Sequence, residues 1–341
     1  MPKRGIYYYI NTLKMRAIAL SINGLDKIGL MRFYKEKQKK RYATYASQLT
    51  IPADIKPHFL NTQYVTYLYL PTAADYERHL RLDTEGIAMC RNDVTVIYNP
   101  LICAHFALVC YNDFLKYKNQ RSLEKFWIQV RHLDCTKPND EGERIYRYDT
   151  EVPAYDLKAG FYAGIAQAAI ASVFTRAYHL TQDAAWKMAA EQTIIAFFIP
   201  ITEGGVFTKT PEGYDWVEEY PSLTRRSYVL NGFIFCLVAL HEYTQLCQDT
   251  VFIKDLDVLE KSLFYTLHEY TFGKYVKYGR HMYIFQNIEY HGLMACQFAH
   301  LYALTGSEAY RQLTIEFNAR VDWKAFFRFY DSPMPDGFKV I

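Results

Sequence analysis

The chain has 341 residues, half of them apolar and 17% aromatic, with 31 tyrosines and a net charge of only +3. That length allows one large domain, or one with a smaller companion, around a well-buried core, and the near-neutral balance argues against a nucleic-acid partner. Seven cysteines lie scattered without a CxxC pair, which reads as buried thiols in a reducing compartment, not a disulfide frame or a zinc site.

The N-terminal part, residues 1–98, mixes elements. Ala17 to Ile22 is a short apolar stretch preceded by Lys14 and Arg16, so no secretory leader is read; no apolar run approaches the ~18 residues of a spanning helix, and a cytoplasmic location is expected. Ile10 to Lys40 forms a basic amphipathic stretch. Its Lys35, Lys37, Lys39, Lys40 and Arg41 read first as a solvated helix end, and alternatively as a contact for an anionic polymer or a membrane surface. Short β-like runs follow at Gln63–Leu70 and Val94–Tyr98, punctuated by Pro52, Pro57, Pro71 and Pro100.

Residues 99–341 read as a helical domain. Apolar spacing near 3.6 predicts about eight helices, at 100–117, 121–133, 160–180, 184–198, 228–247, 255–268, 291–304 and 308–319. Tyr178 to Trp186 echoes Tyr302 to Tyr310, with Asp183 and Ser307 as N-caps and Gly306 as a C-cap. The repeat is a helix hairpin, used about four times. Long insertions at 134–159, 199–227 and 269–290 interrupt it, which disfavours an open solenoid and favours a mainly α fold closed as an α/α barrel, with the insertions building a cleft.

The insertions and their flanks carry the informative motifs: Trp216-Val217-Glu218-Glu219-Tyr220-Pro221, Val229-Leu230-Asn231-Gly232-Phe233, Tyr278-Gly279-Arg280-His281 and Glu289-Tyr290-His291. Weaker pieces are Asp83 to Ile87, Tyr98 to Ala104 and Ala159 to Gln167. In order and spacing these resemble the glucuronyl C5-epimerase family, in patches from roughly residue 80 to 320. The resemblance implies a helical α/α barrel behind a β-containing segment, and inversion of C5 of glucuronate within a heparosan-like polysaccharide, giving iduronate with no redox cofactor. It places Glu219 on the catalytic glutamate, Tyr220 beside it, Tyr290 on a catalytic tyrosine, and Tyr278 and Arg280 on a site tyrosine and arginine. Asn231, Tyr162 and Arg147 complete the expected substrate contacts. The partner is an anionic uronate polymer, and the appended N-terminal helix offers a face for a homodimer.

The chemistry agrees with these residue types. Removing the C5 hydrogen beside a carboxylate builds an enolate whose charge must meet donors already in place. Arg280 can fork the carboxylate, Tyr278 can donate to it, and inversion needs two proton-transfer groups on opposite faces, here a burial-raised Glu219 and the Tyr290 phenol. Plainer readings stand beside these. Glu219 is then a loop carboxylate, Tyr278 and Tyr290 are two of many structural tyrosines, Arg280 pairs with Glu289, and Asn231 opens a helix. His281 and His291 lack an HExxH spacing and a third ligand, so no metal is expected. The family's Tyr-x-x-Arg-His is shortened here, leaving Tyr275 and Tyr283 as alternatives to Tyr278. Arg225 and Arg226 stand where smaller residues are usual, and Tyr146-Arg147-Tyr148-Asp149 replaces a Gly-Trp-Pro loop. Two other functions share the pattern: a polysaccharide lyase using the same carbanion, and a non-catalytic glycan-binding helical repeat.

Overall fold

A computed structural model describes residues 31–50, 73–91 except 79, 96–280 and 288–329, with a few isolated positions between 17 and 29. The β-like run at 63–70, His281 and Tyr283 lie outside the described residues. The chain is mainly helical, and all eight expected helices are present within a few residues of their limits. After α1 (Arg32–Ala46) and the short α2 (Ala73–Glu77), four helix hairpins follow: α3 (Pro100–Tyr117) with α4 (Gln120–Asp134), α5 (Gly164–Thr181) with α6 (Ala184–Ile195), α7 (Leu230–Leu246) with α8 (Ile253–Thr266), and α9 (Ile288–Thr305) with α10 (Glu308–Asn318). A last helix, α11 (Trp323–Phe329), packs on α9; its Phe326 ring lies where a side chain on Gly292 would stand.

Local signals explain the starts and stops. Asn99 accepts a hydrogen bond from Ile102 N at 3.1 Å ahead of Pro100, and Asp183 accepts from Ala185 N at 3.0 Å, satisfying N–H groups that a helix start leaves unpaired. Gly306 ends α9 at φ +64°. Ser307 departs from expectation: its hydroxyl makes no cap bond but donates to Gln48 O at 3.1 Å and accepts from Thr50 N, tying down the chain that leaves α1.

The helices differ in burial as their sequences demand. Every residue of α7 is buried, and α5 is buried over most of its length, as expected for helices apolar all round. The packing sets α3, α5, α7 and α9 side by side in chain order, each backed by its hairpin partner. Helix α1 joins the same core through Tyr42 and lies on α8 and α10. The basic run is therefore partly engaged: Lys35 pairs with Glu269 at 3.1 Å and Arg41 with Glu316 at 3.1 Å, while Lys37, Lys39 and Lys40 are exposed.

A three-stranded antiparallel sheet, β1 (Arg81–Leu82), β2 (Ala88–Arg91) and β3 (Val96–Tyr98), precedes the hairpins. Val96–Tyr98 falls in the expected strand. Asp83 turns the chain between β1 and β2 by accepting from Glu85 N and Ile87 N, an aspartate turn. All seven cysteines are free thiols. Among the described residues no helix is long and apolar enough to cross a membrane.

Two buried polar networks pin the hairpins together. Arg176 (α5) holds Glu242 (α7) through two bonds of 2.6 and 2.7 Å, and His300 (α9) meets the same carboxylate at 2.8 Å. Against the cost of burial, the Arg176 charge and these bonds hold Glu242 far below the usual carboxylate range. A second network joins His241 (α7), Glu260 (α8) and Tyr310 (α10). Removing one partner of a buried ion pair strands the other. Arg176→Ala is therefore expected to destabilise the fold by about 3–5 kcal/mol, measured by denaturant unfolding at neutral pH. Because the Glu242 carboxyl is depressed, its contribution is present above the unfolded carboxyl range and fades only on strong acidification.

Candidate active site

The three insertions converge. Gln167 of α5 draws in the first by accepting from Tyr146 N and donating to Arg144 O, both at 2.8 Å. The second carries the hairpin of β4 (Phe207–Lys209) and β5 (Asp215–Val217), and the third that of β6 (Thr271–Phe272) and β7 (Tyr275–Val276). Trp216 on β5 is fully buried and stacks on Phe233 of α7 at 3.8 Å between ring centroids. That stack sets the end of β5 against the first turn of α7 and delivers Glu219 to it.

Glu219 is 6% exposed. A methyl group on Gly232 would stand 2.5 Å from its Oε2, so glycine is what lets the carboxyl rest on the helix start. The Tyr278 phenol donates to Glu219 Oε1 at 2.8 Å. Oε2 is buried without a hydrogen-bond partner among the described residues, as is Asn231 Oδ1; an unmet buried acceptor costs about 1–3 kcal/mol. Burial pushes Glu219 up to about 7, against the pull of the Tyr278 hydrogen bond and the neighbouring Tyr220 phenol. The Glu219 charge, then burial, raise Tyr220; burial, then Glu219, raise Tyr278 and Tyr148. Tyr290, near the start of α9, meets Tyr278 edge-on with ring centroids 5.1 Å apart. Glu219, Tyr220, Tyr278 and Tyr290 thus come together, and Asn231 stands in the first turn of α7, next in the chain to the Gly232 on which Glu219 rests.

Other expected residues lie elsewhere. Arg280 forks Glu212 at the tip of the β4–β5 hairpin through two bonds of 2.6 Å, and its guanidinium covers Tyr228; the side chain of Glu289, its other expected partner, lies outside what the structure describes. The Tyr162 phenol is spent on Ala196 O at 2.9 Å and its ring is 1% exposed. Arg147 lies over that ring, donates to Gly160 O, and lines a separate cavity of about 130 Å³ with Tyr98, His132 and Asp149. Glu219 does not line that cavity; a raised, unmet carboxyl among phenols is the stronger candidate for a site than enclosed volume alone. Tyr275 sits on β7 with Lys274 over its ring, so of the described alternatives Tyr278 is the phenol on Glu219. His291 is buried and lowered to about 4 by burial. Arg225 is drawn to Asp156 at 3.0 Å, and Arg226 donates to Thr208.

Sequence reasoning missed Tyr155, whose ring lies flat on Tyr220 at 4.0 Å. Its place in the first insertion, far from Tyr220 in the chain and in no periodic element, left no signal. Gly232 was legible only as part of its motif.

Comparisons with known proteins bear on the chain's family. A family model described as the D-glucuronyl C5-epimerase C-terminus matches residues 140–319, just over half of the chain. An uncharacterized protein of Methanocaldococcus jannaschii is 34% identical over 93 residues, which are 26% of this chain and 30% of that protein. A D-glucuronyl C5-epimerase of Caenorhabditis elegans is 37% identical over 90 residues, 26% of this chain and 14% of that enzyme. The aligned part is thus under a third of either relative's length.

The raised Glu219 makes stability pH-dependent with a definite sign. Its unfolded carboxyl ionises near 4.5 and its folded one near 7, so the folded state binds the extra proton between these values and stability falls as pH rises through that window. Glu219→Gln is expected to unfold a few degrees above wild type at pH 8 and near wild type at pH 5, measured by calorimetry.

Proposed function

The chain belongs to the D-glucuronyl C5-epimerase C-terminus family, and on that premise we propose that it is a polysaccharide uronosyl C5-epimerase, an isomerase that turns D-glucuronate into L-iduronate within a heparosan-like polymer. The observation that supports this most is the buried Glu219 carboxyl, with one oxygen held by Tyr278 and the other unmet. We read the row of helix hairpins as part of an α/α barrel whose insertions form the substrate cleft.

In this reading Glu219, poised near neutrality, removes the C5 hydrogen from one face of the ring. A base works best when its pKa lies near the working pH. The electron pair moves into the adjacent carboxylate, and the resulting enolate is met by the Tyr220 phenol, by the Tyr278 phenol as its proton turns from Glu219, and by the positive end of the α7 dipole. Tyr290 then gives its proton to C5 from the opposite face, and the inverted ring leaves as iduronate. The proton on Glu219 and the vacancy on Tyr290 are restored through solvent. No electron leaves the substrate, so the sequence of steps needs no redox cofactor.

Arg280 holds the substrate carboxylate in this scheme once Glu212 releases its fork. Glu212 is 41% exposed and Arg280 only 8%, so Glu212 is the mobile partner, and a uronate carboxylate can take the same two-point fork in its place. Asn231 touches a sugar hydroxyl beside the reacting ring. Arg147, exposed on its own cavity and backed by Tyr162, meets the charge of a neighbouring sugar.

The reading is tested with heparosan tritiated at C5. Wild type is expected to release tritium to water; Glu219→Gln should lower the rate about 1,000-fold and Tyr290→Phe about 100-fold, each with KM nearly unchanged. Wild-type release in both variants would remove these residues from the reaction. A product absorbing in the near ultraviolet would make the protein a lyase.

A further inference from the structure

Glu218 has no task in the reaction just described, yet it is fully buried directly beside Glu219. Its backbone is fixed on both sides, with Glu218 N donating to Val206 O at 2.8 Å and Gly164 N donating to Glu218 O at 2.9 Å. A side chain on Gly164 would stand 2.8 Å from that carbonyl. From this anchored root the carboxylate reaches a single corner of the chain. Oε2 accepts from Ser227 Oγ at 2.8 Å, and both oxygens accept from Tyr228 N, at 3.0 and 3.2 Å.

The corner is strained. Tyr228 has φ +45°, a left-handed conformation that costs a residue with a side chain about 1–3 kcal/mol and persists only where its surroundings impose it. Glu218 grips its N–H from one side, and the Tyr270 phenol donates to its carbonyl at 2.7 Å from the other. The corner in turn carries the third insertion. Arg280 N donates to Ser227 O and Leu230 N donates to Tyr278 O, both at 3.1 Å, and Val229 bridges Gly279. Tyr278, placed by these bonds, is the residue whose phenol holds Glu219.

We infer that Glu218 is a positioning residue: from behind the reacting carboxyl it locks the Tyr228 corner and so holds the Tyr278 phenol on Glu219. The role in catalysis rests on the epimerase reading, whereas the clamp itself is a property of the fold. The titratable groups facing Glu218 are Glu219, Arg226, Tyr228, Tyr270 and Tyr155. Glu218 and Glu219 are neighbouring carboxyls that repel when both are charged, so their titrations are coupled.

Three measurements on Glu218→Ala and Glu218→Gln test the inference. Glu218→Ala should lower kcat for C5 exchange about 100-fold with KM within about twofold of wild type, and Glu218→Gln, which keeps an acceptor in place, should recover most of the loss. The Tyr228 amide should exchange with solvent faster in Glu218→Ala than in wild type. In a carbon-13 titration the Glu219 carboxyl of Glu218→Gln should ionise at lower pH, because the repelling neighbour is gone. An unchanged kcat in both variants, or a Tyr228 amide no less protected without the carboxylate, would overturn the inference. Should Glu218→Ala fail to fold, Ser227→Ala removes one bond of the same clamp, and wild-type kcat and Tyr228 protection there would equally overturn it. Wild-type protein that exchanges nothing at C5 would count against the epimerase reading, while the Tyr228 amide measurement still decides the clamp.

Discussion

Burying a carboxyl with no counter-charge among the described residues is the constraint on which the rest of this site depends. Glu219 sits against the first turn of α7 with one oxygen on Tyr278 and one unmet. Such an arrangement is unfavourable by itself, and it persists because the surroundings are stiff. Trp216 stacked on Phe233 fixes the end of β5, the Tyr228 corner fixes the third insertion, and Tyr155 lies flat on Tyr220 from the first. Two of these supports come from the first and second insertions and one from the corner that enters α7, which is the physical reason that three loops distant in sequence meet at one point.

Glu242, on the same helix that receives Glu219, shows the contrast. Both carboxyls are buried, but Glu242 has a two-point arginine and a histidine and is driven far down in pKa, whereas Glu219 has only neutral phenols among the described residues and is driven up to about 7. Charge compensation makes the first a structural tie between α5, α7 and α9. Its lack makes the second a group that changes protonation near neutral pH, which is what proton transfer requires. The stability contributed by the compensated networks and the apolar core allows the fold to tolerate the uncompensated site.

The helical part of the fold was legible because its signals are local. Periodicity found α3 to α10, and Asn99, Asp183 and Gly306 marked ends as side-chain and backbone chemistry requires. Ser307 shows the limit: its composition signalled a cap, but a tertiary bond to Gln48 took the hydroxyl. The reacting cluster was legible only through motif resemblance, since nothing in spacing alone brings Glu219 to Tyr278 across 59 positions. Arg280 was assigned by its motif to a free fork, but the hairpin tip supplies Glu212 to fill it, a contact set by the register of β4 and β5 that no pattern reveals. Tyr155 and Glu218 went unassigned for the same reason: their importance lies in partners that only the folded chain brings near.

The most direct test is proton NMR of heparosan incubated with the purified protein in deuterated water. Deuterium appearing at C5 together with new iduronate signals is the result this account requires; a polymer that keeps every C5 hydrogen while the protein remains folded would contradict it.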